Sequence, residues 1–223
     1  MDEPPTAEES PVTEPPTIEQ PSPPVPEGKR SALRAVFSDL RAMDGAVYAA
    51  VAATPTPALD RSLRRLSNAA DHSKISLAIT ASLALMGGRP RRAALVGAGA
   101  VALASATTNL LGKRLVRRAR PDREAARVSV DRQVPMPSSA SFPSGHTASA
   151  VAFAAAVGME LPVAALPLGA LAWAVGYSRV HTGVHYPGDV AAGAIVGLAG
   201  AAAAVAIADA APWGDRVFGR MRG

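Results

Sequence analysis

The chain has 223 residues, 48% of them apolar but only 4% aromatic, a formal net charge of +5 and no cysteine. Hydrophobicity carried by Ala, Val, Leu and Gly suits closely packed membrane helices better than a soluble core, and the lack of cysteine excludes disulfides and thiolate metal ligands. Residues 29–223 hold all 23 basic residues against 11 acids, a net of +12; beside long apolar runs, this surplus points to anionic lipid headgroups as partner rather than nucleic acid.

Residues 1–28 contain nine prolines, seven acids and no basic residue. Such a segment cannot bury enough surface to offset the entropy of ordering, so a disordered acidic tail is expected. It lacks the basic start and apolar run of a secretory signal, which leaves insertion to the spans themselves. Residues 29–72 form the next region. Leu33, Val36, Phe37, Leu40 and Met43 recur at helical spacing, as do Leu59, Leu63 and Leu66 beside Arg61, Arg64 and Arg65. Both stretches predict amphipathic helices lying in the headgroup layer and bracing the bundle. Between them, Gly45 to Thr54 is apolar but brief and is stopped by Pro55 and Pro57, which disfavours a crossing there.

Residues 73–210 carry the membrane-length segments. Ala93–Gly112 and Val190–Ala208 run 20 and 19 residues without a charge, and Leu161–Ser178 runs 18, with Pro162 and Pro167 in its N-terminal half. Each is near the length that crosses a bilayer core as helix. Ile75–Gly88 and Thr147–Met159, at 14 and 13 residues, read as thin or tilted spans that return the chain between the longer ones. The predicted fold is therefore all-α, a multi-pass bundle of about five transmembrane helices, followed by a basic tail over residues 211–223.

Three charged clusters sit at the ends of these spans. Lys113 and Arg120 are seven residues apart, two turns short by about 20°, so on a continuing helix they would leave the Ala93–Gly112 span on one face. Pro121 then disfavours helix at Arg120. Arg114, Arg117 and Arg118 read as a juxtamembrane band touching lipid phosphates nonspecifically. Pro143-Ser144-Gly145-His146 runs straight into a helix-forming sequence, and a helix N-terminus attracts an anion, with Gly145 leaving the backbone approachable. Ser144 can cap that helix or donate its hydroxyl, and His146 can hand a proton to a leaving alkoxide. Ser178-Arg179 closes one span, while His185-Tyr186-Pro187-Gly188-Asp189 opens the next, with Pro187 in the first turn. Asp189 then lies about one turn into that helix, able to take the Nδ1 hydrogen of His185 and leave the other nitrogen free to attack. Three cations, two imidazoles and one carboxylate suit phosphoryl transfer through a histidine without a metal. The remaining histidines, His72 and His181, lack partners at ligand spacing; both read as structural or solvent-facing, with His181 nearer the edge of the site. No cofactor and no metal site is expected, and nothing in the sequence specifies an oligomeric state.

Lys113-x6-Arg120-Pro121, Pro143-Ser-Gly-His146 and Ser178-Arg179-x5-His185-x3-Asp189 resemble, at all eleven named positions, the three-part signature of the type-2 phosphatidic acid phosphatase superfamily, which is related to vanadium-dependent haloperoxidases. The similar region covers roughly Asp60 to Ala208. The resemblance implies that His185 forms a phosphohistidine, Asp189 orients it, and His146 protonates the leaving group. It further implies that Lys113, Arg120, Arg179, Ser144 and the Gly145 backbone hold the phosphoryl oxygens. A pocket at headgroup level favours a lipid phosphate substrate, with a polyprenyl diphosphate ahead of phosphatidic acid. A haloperoxidase and a non-catalytic lipid-binding scaffold are the alternatives. Cell-membrane placement is expected, and its side is open. With five crossings, 17 of the basic residues share the motif side, against Arg89, Arg91, Arg92, Arg216, Arg220 and Arg222 opposite; this points to the cytoplasm, whereas many bacterial relatives work on the outer face.

Overall fold

The computed structural model describes residues 29–211; the tail expected over 1–28 and residues 212–223 lie outside them. The chain divides into two compact units, residues 1–38 and 39–223. Among the described residues the first holds only the beginning of α1, and the second holds the bundle and the site.

The helices are α1 (Lys29–Ala53), α2 (Pro57–Ala69), α3 (Lys74–Leu85), α4 (Gly88–Ala106), α5 (Lys113–Leu115), α6 (Gly145–Glu160), α7 (Pro162–His181) and α8 (Pro187–Ala210). A 3₁₀ turn, Asp71–Ser73, joins α2 to α3, and a π-helical stretch, Thr107–Gly112, joins α4 to α5. No strand occurs among the described residues. The five predicted spans correspond to α3, α4, α6, α7 and α8. Among the described residues, only Gly88–Leu110, Pro162–His181 and Pro187–Ala210 are long and apolar enough to cross by themselves. The 16-residue α6 rises about 24 Å at 1.5 Å per residue; it packs against α4, α7 and α8, so neighbouring helices shield what its length does not span. Its apolar run, Thr147–Met159, begins one residue after His146.

Two predictions are corrected. The amphipathic stretch around residues 33–43 and the apolar stretch from Gly45 are one continuous helix, α1, because nothing breaks the chain before Thr54, which Pro55 keeps out of helix. The helix after the Ala93–Gly112 span does not continue to Arg120. It ends at Leu115, and Val116 is extended at φ −119°, ψ 97°; the chain beyond is paired instead to the segment before α6, Ser141 N donating to Arg118 O at 2.9 Å.

The core is built from small residues: Val96, Ala100, Ala104, Ala148, Ala152, Ala156, Ala201 and Ala204. Small side chains let backbones approach, and at Gly197 they come close enough that a Cβ would stand 2.6 Å from Ala148 O and 2.9 Å from Val151 Cβ. At the end away from the motifs, Arg92 ties three helices together, pairing with Glu160 at 3.1 Å and with Asp209. At the motif end, buried Arg132 donates to Asp60 at 2.9 Å and to the carbonyls of Val51 and Thr54, satisfying the end of α1. His181 belongs to this brace rather than to the edge of the site: only 1% exposed, it places Nε2 3.2 Å from Asp60 and 2.9 Å from Thr56 Oγ1. Its carboxylate partner comes from α2, far away in the chain.

Candidate active site

The start of α6 is capped by its own motif. Ser144 Oγ accepts from Thr147 N at 3.4 Å and from Thr147 Oγ1 at 2.9 Å, while Ser144 N donates to the carbonyl of Asp189 at 2.9 Å. The first turns of α6 and α8 are thereby joined, which brings the second and third motifs together. The first motif is packed against them at Gly112, where a Cβ would stand 2.5 Å from Pro143 Cδ. Lys113 begins α5 there; its side chain lies outside the described residues.

His185 follows α7 in a turn whose backbone folds onto the end of that helix, Val184 N and His185 N both donating to Arg179 O. Its ring is 2% exposed. Nδ1 stands 3.5 Å from Asp189 Oδ2, a long contact, and 3.4 Å from Ser141 Oγ, which itself donates to Asp189 Oδ2 at 2.5 Å. Nε2 faces the other way, 3.4 Å from Arg120 Nη1. Burial lowers the imidazole from 6.5 to about 4, Asp189 opposing that shift while Arg120 and Arg179 add to it.

Asp189 is fully buried and over-supplied with donors. Oδ2 accepts from Ser141 and from Tyr186 N at 2.9 Å, and Oδ1 from Arg118 at 3.0 Å. Arg118 also pairs with Asp44 of α1 at 2.6 Å and lies over the Tyr186 ring at 3.9 Å. Asp44 in turn accepts from Gly188 N at 2.6 Å. Arg118 was expected to be a nonspecific lipid contact; the structure instead makes it the cation that holds the dyad carboxylate, because the extended chain after Leu115 turns it inward. Ser141 and Asp44 carry no sequence signal beyond a serine in a turn and an acid on an amphipathic helix.

Arg120 is fixed by Val184 O at 2.8 Å and Ser139 O at 2.9 Å. Arg179, 2% exposed, donates through Nη1 to Ser67 Oγ at 2.6 Å, and its buried Nε has no partner. An unpaired buried guanidinium N–H is costly, and an anion at that point would satisfy it. Arg179, Gly145 and His146 line a cavity of about 480 Å³ together with Asp71, Ser149, Asn109 and the Val134–Pro137 segment. His185 and Arg120 are not among its lining residues. His146 Nε2 is 2.7 Å from Asp71 Oδ1, a partner 75 residues away that no motif announces. Every described site residue from the three motifs thus falls at one end of the bundle.

The similarities of the chain agree with this arrangement. A family model described as PAP2 superfamily matches residues 93–213. The chain is 42% identical over 147 residues to the decaprenylphosphoryl-5-phosphoribose phosphatase of Mycobacterium tuberculosis, covering 63% of this chain and 76% of that protein. It is 41% identical over 153 residues to the protein of the same description in Mycolicibacterium smegmatis, covering 66% and 77%. Two crystal structures share the fold at 24% identity and a TM-score of 0.60. One is a transmembrane PAP2-type phosphatidylglycerolphosphate phosphatase from Bacillus subtilis, with 80% of this chain and 91% of that one covered; the other is Aquifex aeolicus LpxE, with 72% and 93%. A family match over more than half of its length, together with the three motifs gathered at one end of the helices, makes this chain a member of the PAP2 superfamily.

Proposed function

We propose that this membrane phosphatase is a multi-pass protein of the cell membrane that hydrolyses the terminal phosphomonoester of a polyprenyl-phosphoryl sugar, through a phosphohistidine on His185. The observation that carries the reading is the setting of that imidazole: Nδ1 faces the Asp189–Ser141 pair and Nε2 points at a guanidinium. A neutral ring so held can attack phosphorus with Nε2 while the carboxylate stabilises the cation that forms. Charge spread over three equatorial oxygens is met by Arg120, Arg179 with its free Nε, Lys113, Ser144 and the Gly145 N–H at the start of α6. His146 supplies the proton to the leaving oxygen and later takes one from water, which releases phosphate.

The substrate class rests on two supports. The curated relatives are named for a decaprenylphosphoryl phosphoribose, and the cavity beside His146 is polar, with Asp71, Asn109 and Ser149 available to sugar hydroxyls. A small apolar crevice lies beside His146 and Ser149 between α3, α6 and α7, lined by Ile79, Phe153 and Leu171. These features favour a sugar phosphate over the polyprenyl diphosphate and phosphatidic acid expected from sequence. The basic surplus at the motif end supports a cytoplasmic reading of that end.

Phosphate release in EDTA from polyprenyl-phosphoryl phosphoribose, a polyprenyl diphosphate and phosphatidic acid tests this. The parent protein should prefer the first, and His185→Ala should lose at least about a thousandfold on all three. Equal turnover by parent and variant would refute the nucleophile; a preference for phosphatidic acid would refute the substrate class.

A further inference from the structure

Two histidines at this site each meet a carboxylate, but only one pair belongs to the motifs. His185 has Asp189. His146 has Asp71, Nε2 to Oδ1 at 2.7 Å, at the rim of the cavity, the two side chains being 22% and 37% exposed. Asp71 lies in the 3₁₀ turn between α2 and α3, and the two residues after it hold left-handed backbone without being glycine, His72 at φ 55° and Ser73 at φ 56°. Strained conformations of this kind persist where the surroundings over-determine them and cluster at functional sites. The same carboxylate oxygen lies 3.9 Å from Arg179 Nη1, so it stands between an imidazole and a phosphate-facing cation.

We propose that Asp71 is a positioning residue for proton transfer, engaging Nε2 of His146 so that the proton given to the leaving oxygen is carried on Nδ1. The inference rests on the reading of His146 as the acid. In the step it serves, the Nε2 lone pair of His185 forms the N–P bond and the P–O bond to the sugar breaks with its electron pair remaining on oxygen. The Nδ1 proton of His146 passes to that oxygen, leaving His146 neutral. Hydrolysis reverses the proton's path: His146 takes it from the attacking water, the N–P bond breaks, and His185 regains its lone pair.

The charges around His146 explain why such a partner is needed. Burial and Arg179 of α7 lower its imidazole to about 4 and His185 adds to this, whereas Asp71 opposes them. Deprived of the carboxylate, the ring would hold a proton still less readily, and its tautomer would be free to change.

The leaving group separates positioning from mere support. A sugar alkoxide needs a proton as it departs, whereas p-nitrophenolate departs without one. Asp71→Asn and Asp71→Ala should lower kcat on the polyprenyl-phosphoryl phosphoribose by about 30-fold or more, within the range of general acid catalysis. On p-nitrophenyl phosphate the first-turnover release of p-nitrophenolate, which precedes the water step that His146 also serves, should slow by under about threefold, with KM unchanged on the sugar substrate. The alkaline limb of the pH profile should move to lower pH, because the raising influence on His146 is gone, and Asp71→Glu should recover part of the rate. Losses equal on both substrates, or an alkaline limb that stays in place, would overturn the proposal; near-isosteric Asp71→Asn guards against a folding effect. A His146→Ala variant run alongside separates the two readings: if it too is indifferent to the leaving group, the acid assignment itself falls.

Discussion

The imidazole of residue 185 is neutral for a physical reason that gives a pH signature. Its removal from water costs the charged form more than Asp189 returns, so the ring holds no proton until the pH approaches about 4. The proposed nucleophile must be unprotonated to attack, so on that reading activity should fall as pH drops through the folded value. The acid limb of kcat/KM, after allowance for the ionisation of the substrate phosphate, should lie near 4 rather than near the ordinary 6.5. Arg120→Met removes a cation that lowers this value, so the limb should shift upward in that variant. A wild-type limb at 6.5 would show that the ring is open to water in the working enzyme. At this scale most of the motif residues were legible because a reactive side chain coincides with a helix end, as at His146, Arg179 and Asp189. Asp71, Ser141 and Arg118 were not, because their importance is a matter of distance across the fold: an acid in a turn, a serine among serines and one arginine among several look the same wherever they sit.

Helix packing in the bundle is set by missing side chains. Gly197 has Ala148 O where a Cβ would need to be, while Gly99 on α4 has nothing within 4 Å. Alanine in a helix is worth about 1 kcal/mol over glycine by propensity, and overpacking a tight contact costs about 1–3 kcal/mol. Gly197→Ala should therefore lower the thermal midpoint in detergent, and Gly99→Ala should leave it unchanged or raise it. Similar shifts from both would mean that the α6–α8 contact has room to relax. The long spans were readable from their charge-free length. The central α6 was readable only in part, since a short apolar run does not say that three neighbours surround it, and the break after Leu115 was hidden because no glycine or proline marks it.

The bundle as a whole has two unlike ends. One gathers the three motifs and most of the positive charge; the other holds the Arg92 pairs with Glu160 and Asp209. Because the chain has no cysteine, single introduced thiols report on each end. Val130, 79% exposed on the motif side, and Met86, 70% exposed in the opposite turn, are suitable, whereas Ser139 is engaged by Arg120. In intact cells an impermeant maleimide should label Met86→Cys and spare Val130→Cys; the reverse pattern would place the site outside the cytoplasm. The family match begins at residue 93, yet Asp44 holds Gly188 and Arg118, Ser67 anchors Arg179, and Asp71 grips His146. The signature is consequently no self-sufficient cassette: grafted into another protein without its upstream helices, it would arrive with the right letters and the wrong angles.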